Sequence, residues 1–494
     1  MPVQTLPFST LIKIDRKSIV PIFQQLAKGL IQLIQDGKVK PGFRLPSSRE
    51  LAITMGLNRT TVVAAYDELS VQGWIEVVPR KGVTISSKLP LLKPKSFRDS
   101  TNEEVSRKPS FYKKLTSKDQ NIQKNSFDIV VNDGYPDARI APLQMLSSQY
   151  KTLLGRHSRH VMLINERSTG AASLRTELSL FLSQTRGLNV TADNILTTRG
   201  AQGAIYIAAQ MIVKPGSKVI VGELNYSMAN KVFRQLGATL IKVSIDENGI
   251  NVDEIEEICK VAKPDLLYII PHHHHPTTVT LSAERRIKLL NVIRTYQLPV
   301  IEDDYDYDFH YENSPILPLA SADHNGLILY VGSISKTLAL TVRAGYLVAD
   351  TDIVLQASKF KELMEIRGDY LMEDSIANLF KSGEMQRHIS KSVKLYKNRR
   401  DIFCDLLKSK LYEVLQFNVP YGGMAVWALF DKKLSLPKIS AALVKHRIYL
   451  NDGSLYNQEV SDINGIRLGF ASMNEKEIEK FVSALFIEAK KYSS

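Results

Sequence analysis

The sequence predicts two folded parts, a small α+β head of three helices and a β-hairpin and a large α/β domain built on a mainly parallel sheet. Three observations carry this expectation. At 494 residues the chain is too long for one ordinary core. Residues 11–86 alternate helix-period apolar stripes with cap and turn signals, and from Phe127 onward apolar runs recur between helical stretches. Between the two, residues 87–126 hold ten Lys or Arg, four acidic residues and many Ser and Pro in no periodic pattern. That composition predicts a flexible basic linker, which leaves residues 127–490 to the large domain. No internal repeat is present.

The head can be followed element by element. Pro21 suits the first position of a helix, and Phe23, Leu26, Leu30 and Ile34 form one apolar stripe that runs down to Gly37. Ser47-Ser48-Arg49-Glu50 has the form of a capping box, with Ser47 as cap and Glu50 reaching back, and Gly56 ends that short helix. Asn58 caps a third helix that turns Val62, Tyr66 and Leu69 inward and finishes at Gly73. Trp74–Val78 and Val83–Ile85 make two short strands around the turn Pro79-Arg80-Lys81-Gly82. Three helices followed by a hairpin with a basic tip describe a winged helix-turn-helix.

Charge is distributed in keeping with that. The formal net charge is +13, and residues 1–126 carry 21 Lys or Arg against 10 Asp or Glu, so nearly all the excess lies in the first quarter. Counterion release from phosphates makes a polyanion the expected partner of this quarter. In a winged helix-turn-helix the third helix enters the major groove N-terminus first. Arg59, Thr60 and Thr61 stand at that end, Arg49 opens the preceding helix, and Arg80 and Lys81 lie on the wing. Any one of these taken singly would pass for an exposed charge; their convergence on one motif points to double-stranded DNA. The run Leu45-Pro46-Ser47-Ser48-Arg49-Glu50-Leu51-Ala52 through Gly73-Trp74 resembles the GntR-type winged-helix domain.

Composition excludes several classes. The chain is 44% hydrophobic and 23% charged, as in soluble globular proteins. Its longest apolar stretches, such as Ala204 to Val213, are too short and too polar to span a bilayer. The N-terminus lacks the basic and apolar regions of a secretion signal. Two cysteines, Cys259 and Cys404, in different contexts offer neither a disulfide framework nor a thiolate zinc site. A cytoplasmic location and no membrane association are therefore expected.

In the large domain, Lys218–Val221, Leu266–Ile270, Pro299–Ile301 and Leu327–Val331 have the composition of buried strands alternating with helices. Ligands in such sheets bind beyond the carboxyl ends of the strands. After Ile195–Thr198 comes Arg199-Gly200-Ala201-Gln202-Gly203, a small-residue turn opening a helix whose N–H groups can cradle a phosphate. After Val300-Ile301 comes Glu302-Asp303-Asp304-Tyr305. After Leu329–Val331 comes Gly332-Ser333-Ile334-Ser335-Lys336-Thr337, with Arg343 seven residues beyond the lysine. Arg467 sits in the apolar run Ile466–Phe470.

These residue types match the needs of pyridoxal phosphate. A lysine must lose its proton to form a Schiff base, and burial near other cations favours that. A carboxylate against the pyridine nitrogen keeps the ring an electron sink. A tyrosine hydroxyl can bond the ring oxygen, and Ser333 with the fork of Arg343 can hold the phosphate. Two competing readings fail on their own terms. Ser333-Ile334-Ser335-Lys336 satisfies a Ser-x-x-Lys pattern but lacks the accompanying Lys-Thr-Gly element. A P-loop needs glycine where Ser335 stands.

Residues from roughly 130 to 490 resemble the class I/II aminotransferases of the fold type I pyridoxal-phosphate group. Joined to the GntR-type head, the chain resembles the MocR/GabR family of transcription regulators. The resemblance implies that Lys336 is the Schiff-base lysine, Asp303 the partner of the ring nitrogen and Tyr305 the donor to the ring oxygen. It assigns Ser333 and Arg343 to the phosphate, with Ala201 and Gln202 at the phosphate-side turn. Tyr226 corresponds to an aromatic that stacks on the ring, and Arg467 to the arginine that binds an α-carboxylate.

The chain also departs from the family. His275-Pro276-Thr277-Thr278 stands where aminotransferases have Asn-Pro-Thr-Gly. Asn165–Gly170 holds no tyrosine where many relatives carry one that reaches the neighbouring subunit's phosphate. Ser227 and Met228 stand where some relatives carry a second carboxylate-binding arginine. The run His272–His275 could suggest a metal, but neighbours on an extended chain point apart and no second ligand cluster accompanies them. No metal is expected; His275 is expected to line the cofactor pocket.

Taken together, the chain is expected to be a pyridoxal-phosphate-binding regulator that responds to the cofactor, or to a small amine or amino acid that reacts with it, and that works as a homodimer on an operator. The alternative is an active aminotransferase that carries a DNA-binding head. A third reading keeps the large domain only as a dimerisation unit without cofactor.

Overall fold

The computed structural model describes residues 6–78, 82–89, 127–156, 168–312, 316–457 and 463–493. The chain divides into two compact units, Met1–Lys118 and Asp119–Ser494. Of the linker expected over 87–126, residues 90–126 lie outside the described residues, as do the wing residues Arg80 and Lys81.

The first unit holds a four-residue helix, Phe8–Leu11, and then the helices Ile22–Gln35, Ser48–Met55 and Arg59–Val71. They are followed by the antiparallel pair Ile75–Val78 and Gly82–Ile85, with Ile75 opposite Ile85. The winged helix-turn-helix expected from the pattern is what the unit adopts. Leu26, Leu30, Leu51, Val62, Ala65 and Leu69 are fully or almost fully buried and form its core, joined from outside the predicted helices by Phe8 and Ile12. Two expectations shift by a residue. Pro21 has ψ 141°, extended rather than helical, so it caps the first long helix instead of opening it. Trp74 precedes the hairpin because its N–H is taken by the carbonyl of Leu69 at 2.8 Å, which closes the helix end.

The second unit is built on a seven-stranded sheet. Its spatial order is Ile195–Thr198, Gly345–Val348, Ile328–Ser333, Val300–Asp304, Leu266–Ile269, Lys218–Gly222 and Thr239–Val243. Gly345–Val348 runs antiparallel to both its neighbours, and every other pairing is parallel. Leu266–Ile269, Val300–Asp304 and the edge strand Ile195–Thr198 are buried along their whole length, as expected of a sheet covered on both faces. Apolar clusters fill both sides of this sheet, one around Ala204, Phe233 and Tyr268 and another around Ile255, Leu289 and Ile293.

A second layer completes the unit. The strands Leu415–Gln416, Ala425–Phe430 and Gly465–Gly469 pair antiparallel, and Ile129–Val131 pairs parallel with Ile448–Leu450. The latter pairing joins the start of the unit to its last quarter. It places the segment just after Val131 beside the strand that carries Arg467: Gly469 donates its N–H to the carbonyl of Asn132 at 2.8 Å.

Candidate functional site

In the head, Arg49, Arg59, Thr60 and Thr61 lie in the first turns of the helices Ser48–Met55 and Arg59–Val71. Ser47 accepts from the N–H of Glu50, and Glu50 Oε2 accepts from the N–H of Ser47 at 2.8 Å, so the capping box is complete. This fixes the first turn, on which Arg49 is exposed. Asn58 Oδ1 accepts from the N–H of Thr60 at 3.1 Å and from its hydroxyl at 3.0 Å, which commits the Thr60 side chain to the cap. Arg59 and Thr60 are exposed and Thr61 is half-buried. Tyr66 donates to the carbonyl of Pro46 at 2.8 Å and so ties this helix to the turn before its partner.

In the large unit, the residues singled out in sequence gather at the carboxyl ends of the strands. Register explains how. Asp303 pairs with Val331, Asp304 with Gly332, Ser333 with Gly345, and Gly345 with Thr198. The carboxyl ends that carry Asp303 and the turn to Lys336 therefore lie side by side, and the start of Gly345–Val348 separates the second of them from the turn to Ala201. Gly345 is required here, since a Cβ on it would meet the backbone of Gly200 at 2.5 Å and the N atom of Ala201 at 2.8 Å. Gly200 itself has φ +76°, which turns the chain into the helix Ala201–Ile212.

That helix has no side-chain cap, so its first N–H groups are open to an anion. Arg343 is exposed beside it and donates from Nη2 to the carbonyl of Arg199 at 3.2 Å. Arg343 therefore lies against the turn that opens into Ala201 and Gln202, and Ser333 ends the strand paired with Gly345.

Lys336 lies at the centre. Its Nζ donates to the carbonyl of Gly134 at 2.8 Å and sits 4.7 Å from the ring centre of Tyr135 and 5.5 Å from that of Tyr305. Burial, helped by the charge of Arg467, pushes its pKa down to about 8, against the pull of Asp133, Asp306 and Asp303. Asp303 is buried, and Tyr268 donates to its Oδ2 at 2.6 Å. Burial raises the Asp303 pKa to about 7; the Tyr268 bond opposes this, and the carboxylates of Asp304 and Asp306 add to it. Oδ1 of Asp303 is buried without a hydrogen-bond partner among the described residues. An orphaned carboxylate oxygen in a buried site is costly, and a protonated ring nitrogen would satisfy it.

The remaining expected residues complete the enclosure. Tyr226 and His275 meet edge to face with ring centres 5.4 Å apart, and Tyr226 is close enough to feel the charges of Asp303 and Arg343. The hydroxyl of Tyr305 directs its single proton to the carbonyl of His273 at 2.9 Å and accepts from Arg467 Nη2 at 3.0 Å. In this arrangement it is a relay between two protein groups and not a free donor to a ring oxygen. His275 Nδ1 is buried without a partner among the described residues. The four histidines go separate ways, His272 to Ile316 and Asp304, His273 to Asp306, His274 to Thr277 and His275 to Asp133.

Sequence reasoning missed Asp133, Tyr456 and Tyr268. Asp133 accepts from Tyr456 at 2.8 Å, lies 2.7 Å from His275 Nε2 and sits 3.5 Å from Arg467 Nε. The available signal was Asn132-Asp133-Gly134 directly after the apolar triplet Ile129–Val131, the same strand-then-polar-turn pattern that marked the other site segments. Tyr268 was hidden inside a run taken for core. Of the departures noted in sequence, Asn165, Glu166 and Arg167 lie outside the described residues.

Comparison with known proteins agrees with this geometry. Residues 154–485 match the family described as aminotransferase class I and II, and residues 23–85 match the bacterial regulatory proteins of the gntR family. The uncharacterized HTH-type transcriptional regulator YdfD of Bacillus subtilis is 29% identical over 96% of this chain and 98% of its own length. The probable rhizopine catabolism regulatory protein MocR of Rhizobium meliloti is 24% identical over 96% of this chain and 95% of its own. Among solved structures, an archaeal alanine:glyoxylate aminotransferase superposes with a TM-score of 0.68 at 27% identity, covering 74% of this chain and 90% of that one.

Proposed function

Since the chain belongs to the MocR-type regulators, a gntR-family head joined to an aminotransferase class I and II domain, we propose that it is a cytoplasmic DNA-binding regulator whose large unit holds pyridoxal phosphate as its sensor. The observation that carries this reading is the pairing of a lysine poised near neutrality with a buried carboxylate that has one oxygen unclaimed. Bound there, the cofactor supplies an aldehyde and an electron-withdrawing ring.

In this reading Lys336 is the covalent anchor and Asp303 faces the ring nitrogen, held by Tyr268. Ala201, Gln202, Ser333 and Arg343 receive the phosphate. Tyr226 covers one ring face, and His275 offers its unclaimed Nδ1 toward the ring. Arg467 and Tyr305 stand on the effector side. Arg49, Arg59, Thr60, Thr61 and the wing residues Arg80 and Lys81 meet the operator. The working parts are a DNA-binding head over 11–86, a basic linker over 87–126 and an effector domain over 127–490, assembled as a homodimer. A small amine that displaces Lys336 changes the contacts of the lysine, and the switch works if that effector binds one of two conformations better than the other.

The test is a titration of the full chain against DNA from its own upstream region, with and without pyridoxal phosphate and with Lys336→Ala in parallel. The reading predicts that the cofactor changes the apparent DNA affinity of the natural chain and leaves that of Lys336→Ala unchanged. Equal responses, or none in either, would refute it. The retained lysine and carboxylate also suit a working aminotransferase; sustained multiple turnover between an amino acid and a keto acid would favour that second reading.

A further inference from the structure

We propose that Asp133 makes this pocket select primary amines that lack an α-carboxylate over the corresponding α-amino acids. The inference rests on the reading of Arg467 as the effector side of the cofactor pocket. Arg467 is 1% exposed, and each of its three nitrogens donates to the protein: Nε to the carbonyl of Asp133 at 3.3 Å, Nη1 to that of Pro276 at 3.2 Å, and Nη2 to the hydroxyl of Tyr305 at 3.0 Å. Its charge is faced by the Asp133 carboxylate at 3.5 Å. An arginine held ready for an incoming carboxylate presents an open fork; this one presents an arginine whose counter-ion is part of the chain.

Asp133 is fixed in that position from two further sides. Tyr456 donates to Oδ1 at 2.8 Å, and His275 Nε2 lies 2.7 Å from Oδ2. Burial alone would raise the pKa of the carboxyl group, but its interaction with His275, the charge of Arg467 and the Tyr456 hydrogen bond hold it well below the ordinary carboxylate range, so it is ionised at neutral pH. Its charge also reaches Lys336, whose amine is bonded to the carbonyl of the next residue, Gly134. An effector amine that takes the place of Lys336 therefore arrives beside Asp133. If it carries an α-carboxylate, that group must either displace Asp133 from Arg467 or lie against a like charge, and both weaken binding. An amine without the carboxylate meets neither obstacle.

The experiment uses full-length chain loaded with pyridoxal phosphate and a matched pair of probes, n-propylamine and L-α-aminobutyrate, which differ only by the carboxylate. Change in the visible absorbance of the bound cofactor reports binding. We expect n-propylamine to act at a concentration about tenfold or more below that of L-α-aminobutyrate. Asp133→Asn, which keeps the shape and the acceptor for Tyr456, should move that ratio about tenfold toward the amino acid. A second readout needs no cofactor: acetate, compared with chloride at equal ionic strength, should raise the melting temperature of Asp133→Asn but not that of the natural chain. Preference of the natural chain for L-α-aminobutyrate, or equal stabilisation of both chains by acetate, overturns the proposal. If Asp133→Asn does not fold, Asp133→Ser replaces it, and the natural chain's own preference still decides. A chain that shows no cofactor absorbance at all contradicts the pocket reading instead, and the acetate comparison then judges Asp133 alone.

Discussion

Tyr268 and Asp303 lie on adjacent parallel strands, both buried, with the phenol donating to the carboxylate at 2.6 Å. Tyr268 pairs in register with Ile301, two residues before Asp303, so both side chains rise on the same face of the sheet. The bond holds one carboxylate oxygen and leaves the other for a ligand.

Loss of that bond should be felt in cofactor retention. A buried hydrogen bond to a charged group contributes about 1.5–3 kcal/mol, so Tyr268→Phe should weaken pyridoxal phosphate binding by about 10- to 100-fold. Absorbance titration of the full chain measures it. An unchanged affinity would mean that Asp303 does not carry the ring contact.

The Asp303 carboxyl group also makes a prediction for the cofactor-free chain. Burial raises its pKa to about 7, so the folded chain retains a proton here that the unfolded chain has already lost. Stability from this group is fully present below about pH 4 and falls as pH rises toward 7. Asp303→Asn removes that fall. Melting temperatures of the two cofactor-free chains should therefore diverge with rising pH in favour of Asp303→Asn; parallel curves would count against the buried carboxyl.

The lysine gives a second pH signature. With its pKa pushed down by burial to about 8, about a tenth of Lys336 is unprotonated at pH 7, far more than of a solvated lysine. The rate of cofactor capture should rise with pH to a half-maximum close to 8. A rise that continues toward the ordinary lysine range would show the amine to be solvated.

The head makes its own prediction. Arg49 and Arg59 are exposed at the first turns of consecutive helices, on capped and therefore fixed backbone. Arg49→Ala or Arg59→Ala should each cost about 1–3 kcal/mol of operator affinity if they reach bases. A phosphate contact would instead weaken all sequences alike and reduce the salt slope. Gel-shift titrations at several salt concentrations separate these outcomes, and cofactor absorbance should stay unchanged in both variants.

Much of this architecture was legible in the sequence because it is local. The capping box at Ser47 and Glu50, the cap at Asn58 and the glycine after the second helix are fixed by neighbours a few residues away. The Asp303 and Lys336 segments were legible because each directly follows a continuous apolar strand. What stayed hidden depends on distant pairing. Ile129–Val131 reaches its partner Ile448–Leu450 across most of the large unit, and the same long-range return sets Asn132 and Asp133 against the strand of Arg467. Tyr268 looked like core because a buried tyrosine and a buried leucine follow the same strand pattern; only the register shows which one meets a carboxylate. Tyr305 was found, but the destination of its proton, the His273 carbonyl, follows from backbone geometry that no motif records.

The central claim is that Lys336 and Asp303 act on one aldehyde cofactor. Its most direct measurement is the visible absorbance of purified full-length chain after addition of pyridoxal phosphate and removal of the excess, run beside Lys336→Ala. The account predicts a stable absorbance band in the natural chain that Lys336→Ala lacks. A band of equal strength in Lys336→Ala, or its absence from the natural chain, would contradict it.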